Sequence, residues 1–314
     1  MREKCGLLRG MIWRGRTIGG KNRRYKCREE QDQSHVFITV SHHLWVKPQF
    51  CGVLLALATS HTHLERMFPI RDHNPSHTVP WVTYALIALN VAVYLYGVAY
   101  ITTPAQQNEL YFYYAMIPAR LTEGQGYETL VTSVFLHAGF MHLAGNMLFL
   151  WIFGDNMEDE MGHLPFLAFY LASGAGAAYA QYLAGPGSPV PTVGASGAIA
   201  GVMGGYLLLF PKAKVDILLI LIVFFRVFPV PAFIMLGLWF GLQLFQSIGS
   251  DTTGGGVAYW AHSGGFIVGI ILTLPLWWKL GGTAFWNKTK GHPPYPEAQY
   301  TYVKSSVPVV RRNK

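Results

Sequence analysis

A serine framed by small residues, Gly194-Ala195-Ser196-Gly197, follows a Pro- and Gly-rich stretch over 185–191 and opens an apolar run. Ser196 therefore falls in the first turn of a helix, where backbone N–H groups lack intrahelical acceptors and the positive end of the dipole lies. That place suits a nucleophile whose attack creates an oxyanion. It also suits a plain helix-capping serine. A second polar set is His142-Leu143-Ala144-Gly145-Asn146. His142 and Asn146 are four apart and share a helix face. Both can donate hydrogen bonds, either to a reacting oxygen or to a neighbouring helix. His137, five residues earlier, reads as a loop or interface residue. The third set is Ala261-His262-Ser263-Gly264-Gly265, continuing to Gly269. His262 is of the type most often used as a general base.

These residues need elements to hold them, and the composition says which kind. Apolar residues make up 51% of the 314-residue chain and charged residues 13%, against roughly 25% charged in soluble domains. A helix needs ~20 apolar residues to cross a ~30 Å hydrocarbon core. Six runs are read as spans: 81–102, 141–154, 164–184, 195–210, 228–245 and 259–278. The run 217–225 is fully apolar but too short to cross alone, and is expected to be a bent or re-entrant lead into the fifth span. Gly197, Gly201 and Gly205 share a face with Ser196 on the fourth span, and Gly265 and Gly269 share one with His262 on the sixth. Two such small-residue stripes let helices pack closely. If they meet, Ser196 and His262 lie at the same end, as a nucleophile and base drawn from two helices. With spans two, four and six entering from one side, His142, Asn146, Ser196 and His262 fall at one depth, just below the outer surface.

Charge placement excludes a nucleic-acid reading. Residues 1–66 hold 12 of the 24 basic and 5 of the 16 acidic residues, and carry +7 of the net +8. The body is nearly neutral and has no basic face of the kind nucleic-acid binding requires. Residues 1–66 are expected to be a poorly ordered basic extension, or the product of a start site placed too early. Residues 67–280 form the membrane domain, and 281–314 a mobile, basic cytoplasmic tail. Lys212, Lys214 and the lysines and arginines of the tail place both termini in the cytoplasm by the positive-inside rule, and a bacterial plasma (inner) membrane is the starting expectation. The acidic group Asp155, Glu158, Asp159 and Glu160 breaks the charge pattern without overturning it. Cys5, Cys27 and Cys51 all precede residue 67 and show no metal-ligand spacing, and no Asp/Glu/His cluster in the body suggests a metal. The aromatic run 111–114 suits either an interfacial segment or an ordinary loop.

Taken together, His142-x-x-x-Asn146, Gly194-x-Ser196-Gly197 and Ala261-His262-x-x-Gly265-x-x-x-Gly269 resemble the rhomboid intramembrane serine proteases, in family order and over about residues 67–280. The resemblance implies an all-α membrane protein, a six-transmembrane-helix bundle with a water-filled cavity open to the outside. It implies a Ser196–His262 dyad with no third carboxylate. The oxyanion would be held by His142, Asn146 and the Ser196 backbone N–H, with Gly194, Gly197 and His137 in support. It implies cleavage in or near the transmembrane segment of single-span or polytopic membrane-protein substrates, within the lipid bilayer and with no cofactor or metal. Trp239, Phe240 and Phe245 on the fifth span would serve as a lateral gate or as lipid-facing bulk. Some members carry a Tyr one turn after the nucleophile, packed on the histidine, where Ala200 stands here. The alternative reading is an inactive relative that binds membrane clients without cutting them. A transporter is disfavoured, because the halves show no internal repeat.

Overall fold

The computed structural model describes residues 13–15, 23–25, 67–221, 224–252 and 254–293. The chain divides into two units, 1–56 and 57–314. In the first, β1 (Trp13–Gly15) and β2 (Arg23–Tyr25) pair antiparallel, Trp13 opposite Tyr25. The three cysteines, and most of what was expected of residues 1–66, lie outside the described residues.

The second unit begins with β3 (Met67–Asp72) and α1 (Trp81–Tyr100). Three short helices follow: α2 (Pro104–Tyr114), α3 (Pro118–Thr122) and α4 (Thr129–Thr132), the last running into a 3₁₀ turn at Ser133–Phe135. Then come α5 (Phe140–Met161), α6 (His163–Ala184), α7 (Ser196–Leu209), β4 (Lys214–Leu221), β5 (Phe224–Pro231), α8 (Ala232–Gly249), α9 (Tyr259–Lys279) and α10 (Thr283–Thr289). Among the described residues, α1, α8 and α9 are each long and apolar enough to cross a membrane. The pair 129–135 and α5, bent by 98°, makes a fourth if counted as one span.

α7 is the centre of the unit. Its residues from Gly197 to Tyr206 are all buried, and α5, α6, α8 and α9 pack around it. It has 14 residues, so at 1.5 Å per residue it is about 21 Å long, well short of a ~30 Å hydrocarbon layer. Gly265 of α9 lies over Gly197, and Gly269 over Gly201: a Cβ on either would come within 2.1 Å of the facing carbonyl oxygen. The third glycine of the α7 stripe, Gly205, faces Thr273 and Met157. Such close approach of two backbones is open only to glycine.

The run 217–225 corrects the sequence reading. Its described residues, 217–221 and 224–225, are strand rather than helix or re-entrant loop, and the fold is not wholly α. β3, β4 and β5 form an antiparallel sheet in that order, with Ile217 opposite both Pro69 and Phe228. The run is rich in β-branched residues, which favour extended backbone, and Arg71 and His73 both bond the Asp216 carboxylate, at 2.8 and 2.7 Å. Pro229 and Pro231 lie on β5, an edge strand, where a missing N–H costs no ladder bond. They also delay the fifth helix, which starts at Ala232 rather than at 228.

The acidic group that broke the charge pattern ties elements together. Glu158, near the end of α5 and fully buried, accepts from the backbone N–H groups of Val82 and Thr83 at 2.9 and 2.7 Å, capping the first turn of α1. Asp159 accepts from the His77 and Thr78 N–H groups at 3.0 and 2.9 Å. Beyond Gly281, where a mobile tail was expected, α10 folds back, and its Trp286 indole donates to the Leu208 carbonyl at 2.9 Å.

Candidate active site

A cavity of about 850 Å³ opens at the end of the unit where α7 and α9 begin, and Ser196, His262, His142 and Asn146 all line it. Ser196 stands at the first position of α7 and His262 in the first turn of α9. The glycine contacts bring these two helices together, and His262 Nε2 lies 2.8 Å from Ser196 Oγ. Both side chains are half-buried. This is hydrogen-bond distance between a hydroxyl and the ring nitrogen able to take its proton.

His142 and Asn146 reach the same place from α5. Gly194, just ahead of the serine, has φ +123°, a conformation that L side chains rarely adopt, and its N–H donates to the Ser133 carbonyl at 3.0 Å. A Cβ on Gly194 would lie 2.6 Å from the His142 ring. The glycine is therefore required twice, by its backbone angle and by the imidazole beside it. Asn146 is buried, and its Nδ2 has no hydrogen-bond partner among the described residues. A buried amide donor lining a cavity is a costly group to leave unmatched, unless an acceptor arrives with a ligand. His137 is buried in the turn before α5, with its ring edge-on to His142 at 5.1 Å. Gly197 packs on Ala177 of α6 and beneath Gly265.

Two contacting residues escaped the sequence reading. Gln243 of α8 places Oε1 2.7 Å from His262 Nδ1. Gln181 of α6 accepts from the Ala261 N–H at 3.2 Å, capping the start of α9 next to the histidine. Each is a strongly polar residue in a mostly apolar helix, the same signal that singled out His142 and Asn146. On α8 the three aromatics read as a gate, Trp239, Phe240 and Phe245, divide. Trp239 lies 5.9 Å from the His262 ring and Phe240 stacks on Phe266 at 4.6 Å, while Phe245 is 76% exposed. The connection between α1 and α5 is held by side-chain contacts as well. Arg120 bonds the Phe112 carbonyl and lies over the Phe112 ring, while Tyr113 and Tyr114 are exposed. Among the described residues, no three His, Cys, Asp or Glu side chains converge as a metal would need.

Comparison with known proteins places the same region in context. The family profile for the Rhomboid domain matches residues 124–279. Rhomboid protein 1, mitochondrial, of Saccharomyces cerevisiae is 34% identical over 152 residues, covering 46% of this chain and 40% of that protein. Presenilin-associated rhomboid-like protein A, mitochondrial, of Danio rerio is 32% identical over 142 residues, covering 45% and 35%. Rhomboid protease GluP of Bacillus subtilis is 35% identical over 129 residues, covering 41% and 24%. The matches thus span less than half the length of each of these three relatives. Two of them carry mitochondrial names, which withdraws support from the bacterial plasma membrane expected from the sequence.

Proposed function

Because the chain belongs to the rhomboid family, we propose that it is an intramembrane serine endopeptidase with Ser196 as nucleophile and His262 as base. The observation that carries this reading is the 2.8 Å contact between Ser196 Oγ and His262 Nε2, made across two helices at the floor of a cavity. In the reaction, Ser196 Oγ attacks the scissile carbonyl carbon while His262 Nε2 takes the hydroxyl proton. The same proton then passes to the leaving amine, and water repeats the sequence on the acyl-enzyme. The developing oxyanion would lie against the Asn146 amide, the His142 ring and the Ser196 backbone N–H, a free donor by its place at the start of α7.

In this reading the long helices form a six-span bundle, with the short α7 at its centre and the cavity facing one aqueous side. Lys212, Lys214, Lys279, Lys288 and Lys290 cluster toward the other end, and the positive-inside rule assigns that end to the cytoplasm or its organellar equivalent. The substrate is a segment of another membrane protein, extended where it enters the cavity so that a peptide carbonyl can reach Ser196.

Purified protein in detergent, mixed with a single-span reporter, tests the reading beside Ser196→Ala and His262→Ala. Cleavage by the parent, abolished in both variants, is the expected result. Cleavage that survives Ser196→Ala would sink the mechanism. A folded parent that binds the reporter and never cuts it would make this chain a client-binding member instead.

A further inference from the structure

We infer that Gln243 is the positioning residue for His262, accepting the hydrogen bond of its Nδ1–H beside the Ser196–His262 pair. The inference rests on the reaction proposed above. Ser196 can donate its hydroxyl hydrogen only to an unprotonated Nε2, and a neutral imidazole then carries its proton on Nδ1. Nδ1–H therefore needs an acceptor, and Gln243 Oε1 stands 2.7 Å from it. Neither α7 nor α9 contains an Asp or Glu that could take that place. An amide oxygen fixes tautomer and ring orientation without adding a charge, the role that Asn fills in papain-like Cys-His-Asn sites.

Gln243 does not act from a loose support. Trp239, one turn earlier on the same face of α8, sets its ring 5.9 Å from the imidazole, on a histidine where Ala200 offers no ring from α7. One turn later, Ser247 Oγ donates to the Gln243 backbone carbonyl at 2.8 Å and bonds Ser263 Oγ at 3.0 Å. α8 and α9 are thus joined by two polar contacts one turn apart, one of them at His262 itself. Separation of α8 from α9 removes the Nδ1 acceptor and frees the ring to turn away from Ser196. The serine is then activated only while α8 is docked.

Two variants and two readouts separate positioning from simple packing. Gln243→Met keeps the length and volume of the side chain and removes the acceptor. Gln243→Glu restores an acceptor oxygen. A small soluble fluorophosphonate labels Ser196 without the need to admit a transmembrane substrate, and the single-span reporter gives kcat and KM. Loss of one such hydrogen bond corresponds to about tenfold. Gln243→Met should therefore label and turn over about tenfold more slowly with KM nearly unchanged, and Gln243→Glu should recover most of the rate. Labelling of Gln243→Met at the parent's rate overturns the inference, as does a Gln243→Glu protein no faster than Gln243→Met. If Gln243→Met fails to fold, ¹⁵N-histidine spectra of the parent, assigned against His262→Ala, give the answer: a His262 protonated on Nε2 overturns it, and one protonated on Nδ1 upholds it. A parent that neither labels nor cleaves overturns the proposed function and this inference with it, whereas an active parent matched by Gln243→Met overturns this inference alone.

Discussion

Gly269 of α9 and Gly201 of α7 touch through their backbones: a Cβ on Gly269 would lie 2.0 Å from the Gly201 carbonyl oxygen and 2.4 Å from its Cα. No rotamer relieves a clash between a Cβ and main chain, so even one methyl must push the helices apart. Overpacking of this kind costs about 1–3 kcal/mol. Gly269→Ala should lower the thermal midpoint in detergent accordingly. It should also slow Ser196 labelling, because Ser196 and His262 are carried by the two helices that it separates. An unchanged midpoint would show that the contact is looser than the geometry states.

Asn146 is the second test, and it concerns the transition state alone. Its Nδ2 is buried and unmatched among the described residues, on the wall of the cavity that holds Ser196. A donor reserved for an oxyanion contributes little to substrate binding and much to turnover. Asn146→Ala should lower kcat by about 10²–10³ with little change in KM, the range found for loss of one oxyanion-hole donor. It should leave the stability of the fold nearly unchanged, since Nδ2 has no hydrogen-bond partner among the described residues to lose. A fall in midpoint with kcat preserved would assign Asn146 to helix packing instead.

How much of this was legible beforehand differs from element to element. Ser196, His262, His142 and Asn146 stood out because each is polar in an apolar stretch, and the glycine stripes gave a reason for α7 and α9 to meet. Gln243 obeys the same rule yet escaped notice, because a glutamine in the middle of a helix belongs to no local motif. Its partner lies 19 residues away on another helix. The run 217–225 misled for a different reason. Its hydrophobicity suggested lipid, whereas β3 and β5 flank its strand on both edges, a pairing across about 145 residues on one side that no local pattern reveals. The acidic group at 155–160 could not be explained from charge counting. Two of its members, Glu158 and Asp159, cap α1 and the turn before it from a distance.

That capping yields the third prediction. Glu158 has no exposed surface, accepts from Val82 and Thr83, and also lies 2.5 Å from His163 Nδ1. A carboxylate at a helix N-terminus meets free N–H groups and the positive end of the dipole. Glu158→Gln keeps the shape but replaces one acceptor oxygen with a donor that faces N–H groups. A loss of about 1–3 kcal/mol is expected for a buried charge-assisted bond left unmade. Amide hydrogen exchange at Val82 and Thr83 should rise by more than exchange in α7. Equal protection in both proteins would mean that the cap is dispensable.

Asp72, in β3 and outside the spanning helices, contributes to the pH dependence of stability. Burial raises its carboxyl from an ordinary value of 3.8 to about 7; the hydrogen bond from Tyr206 opposes the rise, and the negative charge of Asp155 adds to it. The folded form thus holds a proton that the unfolded chain has already released between about pH 4 and pH 7. Stability falls with rising pH wherever the native state binds more protons. The contribution of Asp72 is fully present below the unfolded value and is lost as pH climbs through about 7. At 1.36 kcal/mol per unit, the loss is at most about 4 kcal/mol. Asp72→Asn keeps an oxygen for the Tyr206 hydroxyl and cannot ionise, so its thermal midpoint should decline less than that of the parent from pH 4 to pH 8. The difference between the two should move in favour of the variant by the upper end of that range. A difference that stays constant with pH would show that Asp72 ionises as freely in the folded protein as in the unfolded chain.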